Sequence, residues 1–95
     1  MKILLYPLIN DFAENKDIAR NIRLEKIIPA LEKNEEVVLD FENVSGTTQS
    51  FIHALISDLI RIYGDQVLDK ILFKNCNEHI QKIITIVVEY MQESM

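Results

Sequence analysis

Residues 36–50 of the chain read EVVLDFENVSGTTQS, and the fold is predicted from this stretch outward. Residues 36–41 have the alternation of a β-strand, in which every second side chain points to the same face. Both faces are apolar, with Val37, Leu39 and Phe41 on one and Val38 beside Asp40 on the other. This pattern predicts a central strand that is covered on both sides.

A polar loop over residues 42–48 then leads into a helix over Gln49–Tyr63. Gly46 is the loop residue that is able to adopt a positive φ angle. The helix has a wide apolar stripe that includes Ile62, and three further apolar residues lie outside it: Phe51, Ala54 and Ile60. Such a helix is either buried on several sides or keeps an apolar patch for a partner.

The flanking sequence predicts two more strands and two more helical regions. Short apolar runs over residues 3–9 and 70–74 indicate strands. Because Pro7 cannot donate to a ladder, the first strand is expected either to lie at an edge or to stop early. Residues 15–34 have a helical pattern whose apolar phase shifts. Because Pro29 also lacks an N–H group, a break or kink is expected near residues 23–25. Asn77 is expected to cap a last helix.

The predicted order is therefore β-α-β-α-β-α, which indicates an α/β fold with a small, mostly parallel three-stranded sheet and helices packed on it. The length of 95 residues fits a single domain over residues 1–95. A net charge of -5 argues against nucleic acid and against an anionic membrane as partners. One cysteine and no signal-like or membrane-spanning run predict a reducing compartment, the cytoplasm.

The strand, the loop and the helix that follows it resemble a known family. The segment from Val37 to Val44, the hydroxyl-rich loop, and Ser50-Phe51-Ile52 are similar to the STAS-like domain family of unknown function, as is Lys74-Asn75-Cys76-Asn77. More distantly, the chain resembles the STAS domains of anti-sigma factor antagonists, in which a helix starts at a phosphorylated serine. Counted from Val44, Ser50 falls on that position.

This resemblance implies a protein partner, with an ATPase-type serine kinase as the natural one and Ser50 as its phosphoacceptor. The loop departs from the antagonist pattern at three positions. Thr48 stands where those proteins have an aspartate, Gln49 where they have their first serine, and Phe51 where a glycine follows the phosphoserine.

The loop is also the candidate site on chemical grounds. Ser45, Thr47, Thr48 and Ser50 place four hydroxyl groups at a helix N-terminus, where unpaired N–H groups favour an anion. With Gly46 and Gln49 they form a candidate site for a phosphate or a nucleotide. The alternative is that these hydroxyls simply cap the helix. Asp40 either assists phosphoryl chemistry or accepts hydrogen bonds from the loop.

No nucleophile, base and oxyanion set can be assembled from the sequence, and no metal-ligand spacing or glycine-rich phosphate loop occurs. The sequence therefore predicts a non-enzyme without a cofactor or metal. Three functions remain open. The first is a regulatory protein-binding domain that is switched at Ser50. The second is an anion-binding or nucleotide-binding module that uses residues 45–50. The third is a structural subunit that forms a homodimer through the second face of its sheet.

Overall fold

A computed structural model describes residues 1–93, over which short strands and helices alternate. The strands are β1 (Lys2–Leu4), β2 (Phe12–Ala13), β3 (Val37–Asp40), β4 (Gly46–Thr47) and β5 (Ile71–Lys74). The α-helices are α1 (Tyr6–Ile9), α2 (Lys16–Ile22), α3 (Ile28–Glu32), α4 (Gln49–Tyr63) and α5 (Glu78–Glu93). A π-helical segment, Arg23–Ile27, joins α2 to α3, and a 3-10 helix, Asp65–Lys70, precedes β5.

The main sheet has three parallel strands in the order β1-β3-β5, which confirms the predicted α/β fold and the central place of β3. Leu39 is in register with Ile3 on one side and with Phe73 on the other. Val37, Leu39 and Phe41 have no exposed surface, so this face of the sheet forms the floor of the core. Burial of apolar area is the main stabilising contribution to such a fold.

The second face of the sheet is open, and the prediction that β3 is covered on both sides is wrong. Leu4 on β1 is 51% exposed and Leu72 on β5 is 47% exposed. Val38, between these strands, is half-buried. Residues 1–93 therefore leave an apolar strip on this face, and the alternation of apolar residues in β3 alone could not show that.

The first strand lies at an edge of the sheet and stops early, as Pro7 indicated, but its predicted range of residues 3–9 is corrected, because β1 ends at Leu4 and α1 begins at Tyr6. Pro7 lies in the first turn of α1, where its missing N–H group leaves no helical hydrogen bond unmade. The chain then forms β2, which pairs in parallel with β4 inside the predicted loop, Phe12 opposite Gly46 and Ala13 opposite Thr47. A second, two-stranded sheet thus holds the loop.

The irregularity predicted near residues 23–25 is the π-helical segment Arg23–Ile27, through which the helical backbone continues without a break. The wider turn rotates the apolar face between α2 and α3, and Pro29 lies in the first turn of α3. Arg23 is buried here. Its Nη1 donates to the carbonyl of Ala54 at 2.6 Å, and its Nη2 lies 3.3 Å from Oδ2 of Asp58. The segment therefore fastens the first helical region to α4.

Helix α4 has the predicted bounds and runs through the centre of the molecule. Six of its apolar side chains have no exposed surface: Phe51, Ile52, Leu55, Ile56, Leu59 and Ile60. The core therefore uses Phe51 and Ile60 from outside the stripe, whereas Ala54 is half-buried and Ile62, expected in the stripe, is 65% exposed.

The last helix, α5, begins as predicted after Asn77, whose Oδ1 accepts a hydrogen bond from the N–H of Ile80 at 2.9 Å. Its stripe of Ile80, Ile84, Val87 and Met91 is buried. No helix within residues 1–93 is both long enough and apolar enough to span a membrane.

Candidate functional site

Backbone hydrogen bonds to β2 and to the residue before it hold the candidate loop in place. The N–H of Ser45 donates to the carbonyl of Asp11 at 2.7 Å, and the N–H of Thr48 donates to the carbonyl of Ala13 at 3.1 Å. These bonds extend the short pairing of β2 with β4. The loop that the sequence shows as a polar linker is therefore a second small sheet whose end leads directly into α4.

Three of the four loop hydroxyls take structural roles. The Ser45 hydroxyl donates to the carbonyl of Asp11 at 3.0 Å, and the buried Thr47 hydroxyl donates to the carbonyl of Ala13 at 2.9 Å. Oγ1 of Thr48 accepts a hydrogen bond from the N–H of Phe51 at 3.1 Å, which makes Thr48 the N-cap of α4. The capping alternative is thus confirmed for Thr48 and not for its neighbours.

Ser50 differs from these three residues. It is exposed, it is the second residue of α4, and its hydroxyl makes no hydrogen bond with any of residues 1–93. Its predicted place, within one residue of the helix start, is confirmed. Because Thr48 already caps the helix, the Ser50 hydroxyl has no comparable structural role.

Gly46 does not adopt the positive φ angle that a glycine can take, and its lack of a side chain matters for space instead. Asn43, with φ of 70°, takes the left-handed conformation in this loop. A Cβ atom at residue 46 would lie 2.8 Å from Cε1 of Phe12 and 3.4 Å from Cδ2 of His79. The absence of a side chain lets β2 and the start of α5 both approach the loop.

Residues at the start of α5 also contact carbonyl groups of the loop, and nothing in the sequence indicated these contacts. Nδ2 of Asn77 donates to the carbonyl of Ser45 at 2.8 Å, and Nε2 of His79 lies 3.1 Å from the carbonyl oxygen of Thr47. Asn77 therefore has two roles, as the cap of α5 and as a tie to the loop. The spacing of these residues along the chain, more than 30 positions, gives no local signal.

Gln49 and Ser50 line a groove of about 510 Å³ that we call the Ser50 groove. Its remaining lining residues come from α2, α4 and α5: Lys16, His53, Ala54, Ile86, Val87 and Tyr90. Ile86 and Tyr90 lie four residues apart on α5, outside its buried stripe, and both are exposed. That second apolar pair on one helix face is the signal by which the sequence could have indicated a groove.

Asp40 lies apart from the groove and fastens the end of β3. Its Oδ1 accepts hydrogen bonds from Nδ2 of Asn75 at 2.8 Å and from the N–H of Glu42 at 2.9 Å. Its Oδ2 accepts no hydrogen bond from residues 1–93, but Nζ of Lys2 lies 3.4 Å away as an ion pair. The expected local role is confirmed, and Lys2 is a basic partner that the sequence analysis missed.

These contacts lower the pKa of Asp40 below its ordinary value. The hydrogen bond from Asn75 is the largest cause, followed by the N–H of Glu42 and, more weakly, by Lys2, whereas burial acts in the opposite direction. Each of these donors favours the ionised carboxylate. Asp40 therefore remains charged at neutral pH and holds the strand end and the loop together.

The charged form of Asp40 should make stability depend on pH. A carboxyl group with a lowered pKa in the folded state stabilises the protein above the unfolded value, about pH 4, and this contribution is lost as the pH falls further. The difference in unfolding free energy between wild type and Asp40→Asn should therefore be constant near neutrality and shrink below about pH 4. Urea denaturation of both proteins measures this difference. A difference that does not change with pH would contradict the assigned contacts.

Cys76, in the turn after β5, is half-buried. Burial and, secondarily, the negative charge of Asp40 raise the pKa of its thiol to about 11. The thiol is therefore protonated at neutral pH and is a poor nucleophile.

The parallel sheet, the strand that ends in Asp40 and the serine-bearing start of α4 define a small α/β domain of the STAS type. Residues 19–81 match the family model described as STAS-like domain of unknown function (DUF4325). The chain belongs to this family, as its sequence resemblance implied. No curated protein and no solved structure matches the chain.

Proposed function

We propose that this protein is a non-enzymatic regulatory domain of the cytoplasm that binds another protein and is switched by phosphorylation of Ser50. The observation that carries the proposal is the difference among the loop hydroxyls. Those of Ser45, Thr47 and Thr48 are engaged in the hydrogen bonds that hold the loop, whereas the hydroxyl of Ser50 is exposed at the edge of a groove. A phosphate on Ser50 would disturb none of those hydrogen bonds.

The position of Ser50 also makes its modification compatible with folding. A phosphate adds about -1.5 to -2 charges at neutral pH. In the first turn of the 15-residue helix α4, that charge lies next to backbone N–H groups that have no helical partner, and the helix dipole favours it. A phosphate on Ser50 should therefore weaken the binding of a partner that contacts the site, without lowering the stability of the fold.

The resemblance to anti-sigma factor antagonists supports an ATPase-type serine kinase as the partner. The departures from the antagonist loop have structural explanations in this protein. Thr48 caps α4, and Phe51, which stands where those proteins have glycine, is completely buried in the core. A kinase acting here would recognise the exposed Gln49-Ser50 pair and not an aspartate.

The test compares Ser50→Asp with Ser50→Ala after the main protein partner has been identified by pull-down and mass spectrometry. Ser50→Asp should keep the melting temperature of the wild type within a few degrees, since an acidic residue suits the first helical turn. It should weaken partner binding by at least about tenfold, a difference of roughly 1.4 kcal/mol. Ser50→Ala, the matched control, should bind like wild type. Equal binding of Ser50→Asp and wild type would reject the switch.

The open face of the sheet favours one alternative, a structural subunit that forms a homodimer. Leu4 and Leu72 give this face an exposed apolar strip, and Lys2 and Lys74 are in its outer strands. Exposed apolar strips of this kind often mark contacts between proteins. The alternative predicts a molecular mass that rises with protein concentration and does not respond to substitution of Ser50.

A further inference from the structure

The Ser50 groove has an apolar floor that residues 1–93 leave accessible. Ile86 on α5 is 46% exposed and Ala54 on α4 is half-buried, whereas Val87, which also lines the groove, is only 4% exposed. Small concave sites with apolar walls and a few polar groups are the usual places where a protein holds a side chain or a ligand. The groove is therefore shaped for an occupant with an apolar group.

The charge of the groove is opposite to that of the molecule. The chain has a net charge of -5, yet among the residues that line the groove in the described part of the chain Lys16 is the one Lys, Arg, Asp or Glu. Asp17, the next residue of α2, is not among the lining residues. The start of α4 adds the positive end of a helix dipole. The groove is therefore complementary to a negatively charged group.

The other polar groups of the groove are donors or are fixed in place. Nδ1 of His53 lies 3.3 Å from the hydroxyl oxygen of the buried Ser57, and this contact holds the ring at the wall of the groove. The amide of Gln49 and the hydroxyl of Ser50 can both donate hydrogen bonds. No carboxylate of residues 1–93 lines the groove and would repel an anion there.

The groove does not fit a free nucleotide or a simple anion as well as it fits a peptide. Binding of a nucleoside triphosphate needs several cationic groups or a glycine-rich loop around the phosphates, whereas this groove supplies one lysine. An inorganic anion would leave the apolar floor uncovered. A peptide segment with one carboxylate and one neighbouring aliphatic or aromatic side chain would satisfy both parts of the site.

From these features we infer that the Ser50 groove is the docking site for an acidic, apolar-anchored segment of the partner protein. The carboxylate of that segment pairs with Lys16, and its apolar side chain packs on Ile86, Val87 and Ala54. This inference rests on the proposed function and gives its switch a mechanism. A phosphate on Ser50 places its own negative charge in the same groove and so competes with the carboxylate of the partner.

The probe is a library of short random peptides displayed on phage and selected on wild type. We expect the selected peptides to share an Asp or Glu next to Leu, Ile or Phe. Synthetic copies should lose at least about tenfold in affinity on Lys16→Glu and on Ile86→Asp. Lys33→Glu, the matched control, makes the same charge change at an exposed residue outside the groove and should bind like wild type. Thermal melting of each variant checks that it is folded.

Any of four binding results would overturn the inference. They are the absence of any binder, binders without an acidic preference, equal affinity on Lys16→Glu and Lys33→Glu, and tighter binding of ATP or inorganic phosphate than of the peptides. The last result would instead indicate the anion-binding module. Amide chemical-shift changes in a titration with the peptide should fall on the groove, and changes confined to the open sheet face would also reject it.

The same variants separate this inference from the proposed function. If the native partner responds to Ser50→Asp but tolerates Lys16→Glu and Ile86→Asp, the switch is correct and the groove assignment is wrong. If the peptides depend on Lys16 and Ile86 but bind Ser50→Asp as tightly as wild type, the docking site is correct and the switch is wrong.

Discussion

Leu39→Ala should lower the free energy of unfolding by about 2–5 kcal/mol, as large-to-small changes in a packed core do. Leu39 lies at the centre of β3, between Ile3 and Phe73 in neighbouring strands, and has no exposed surface. The substitution removes three carbon atoms from a site with strands on both sides, which limits how far the surroundings can collapse into the cavity. Urea denaturation followed by circular dichroism measures the change.

The matched control is Leu72→Ala, because Leu72 has the same side chain in the same sheet but is 47% exposed. Its cost should be below about 1 kcal/mol, since little apolar area is lost from the core. A cost for Leu72→Ala that grows with protein concentration would indicate a homodimer through the open face. A loss of unfolding free energy below about half a kcal/mol for Leu39→Ala would mean that Leu39 does not point into the core.

Both β3 and α4 could be predicted from the sequence because their own periodicity carries the information. Alternation places Leu39 on the core face, and a 3.6-residue apolar repeat that starts after Ser50 gives α4 its bounds. The covering of the second sheet face could not be predicted, because it depends on how many helices the whole chain supplies. Val38 satisfies the pattern of a covered strand and is only half-buried.

The small second sheet shows the limit of local patterns more clearly. β2 and β4 have two residues each, too few for any alternation, and their pairing joins residues more than 30 positions apart. The apolar run over residues 3–9 gave a single predicted strand because it contains no polar interruption. Pro7 indicates a strand that lies at an edge or stops early, and β1 does both, but no local pattern showed that Pro7 itself lies in the first turn of α1.

The candidate site was predicted in part. The position of Ser50 follows from the start of α4, which the sequence defines well. Whether Thr48 or Ser50 caps α4 is decided by one hydrogen bond, from the N–H of Phe51 to Oγ1 of Thr48. This bond depends on the three-dimensional arrangement of the loop and cannot be identified from the sequence. The Ser50 groove needs Lys16 from α2 and Ile86 from α5 beside it, and a search for motifs within one segment does not combine residues from three helices.

Helix α4 offers the second large effect, in a comparison of two isoleucines that are two positions apart. Ile60 has no exposed surface and Ile62 is 65% exposed. Ile60→Ala should therefore cost about 2–5 kcal/mol of unfolding free energy, whereas Ile62→Ala should stay within about 0.5 kcal/mol of wild type. Alanine is also the better helix former, which partly offsets any lost contact at residue 62.

The pair of variants distinguishes two accounts of this unusually apolar helix, and denaturant unfolding at one protein concentration is sufficient to do so. The apolar stripe alone places Ile62 in the core and leaves Ile60 for a partner, which predicts the larger cost at residue 62. The structure predicts the reverse, because α4 packs against α2 on one side and α5 on another. If Ile60→Ala is the costly change, the sides of α4 are committed to the core. On the side of α4 that faces the groove, a partner can then reach Gln49, Ser50, His53 and Ala54.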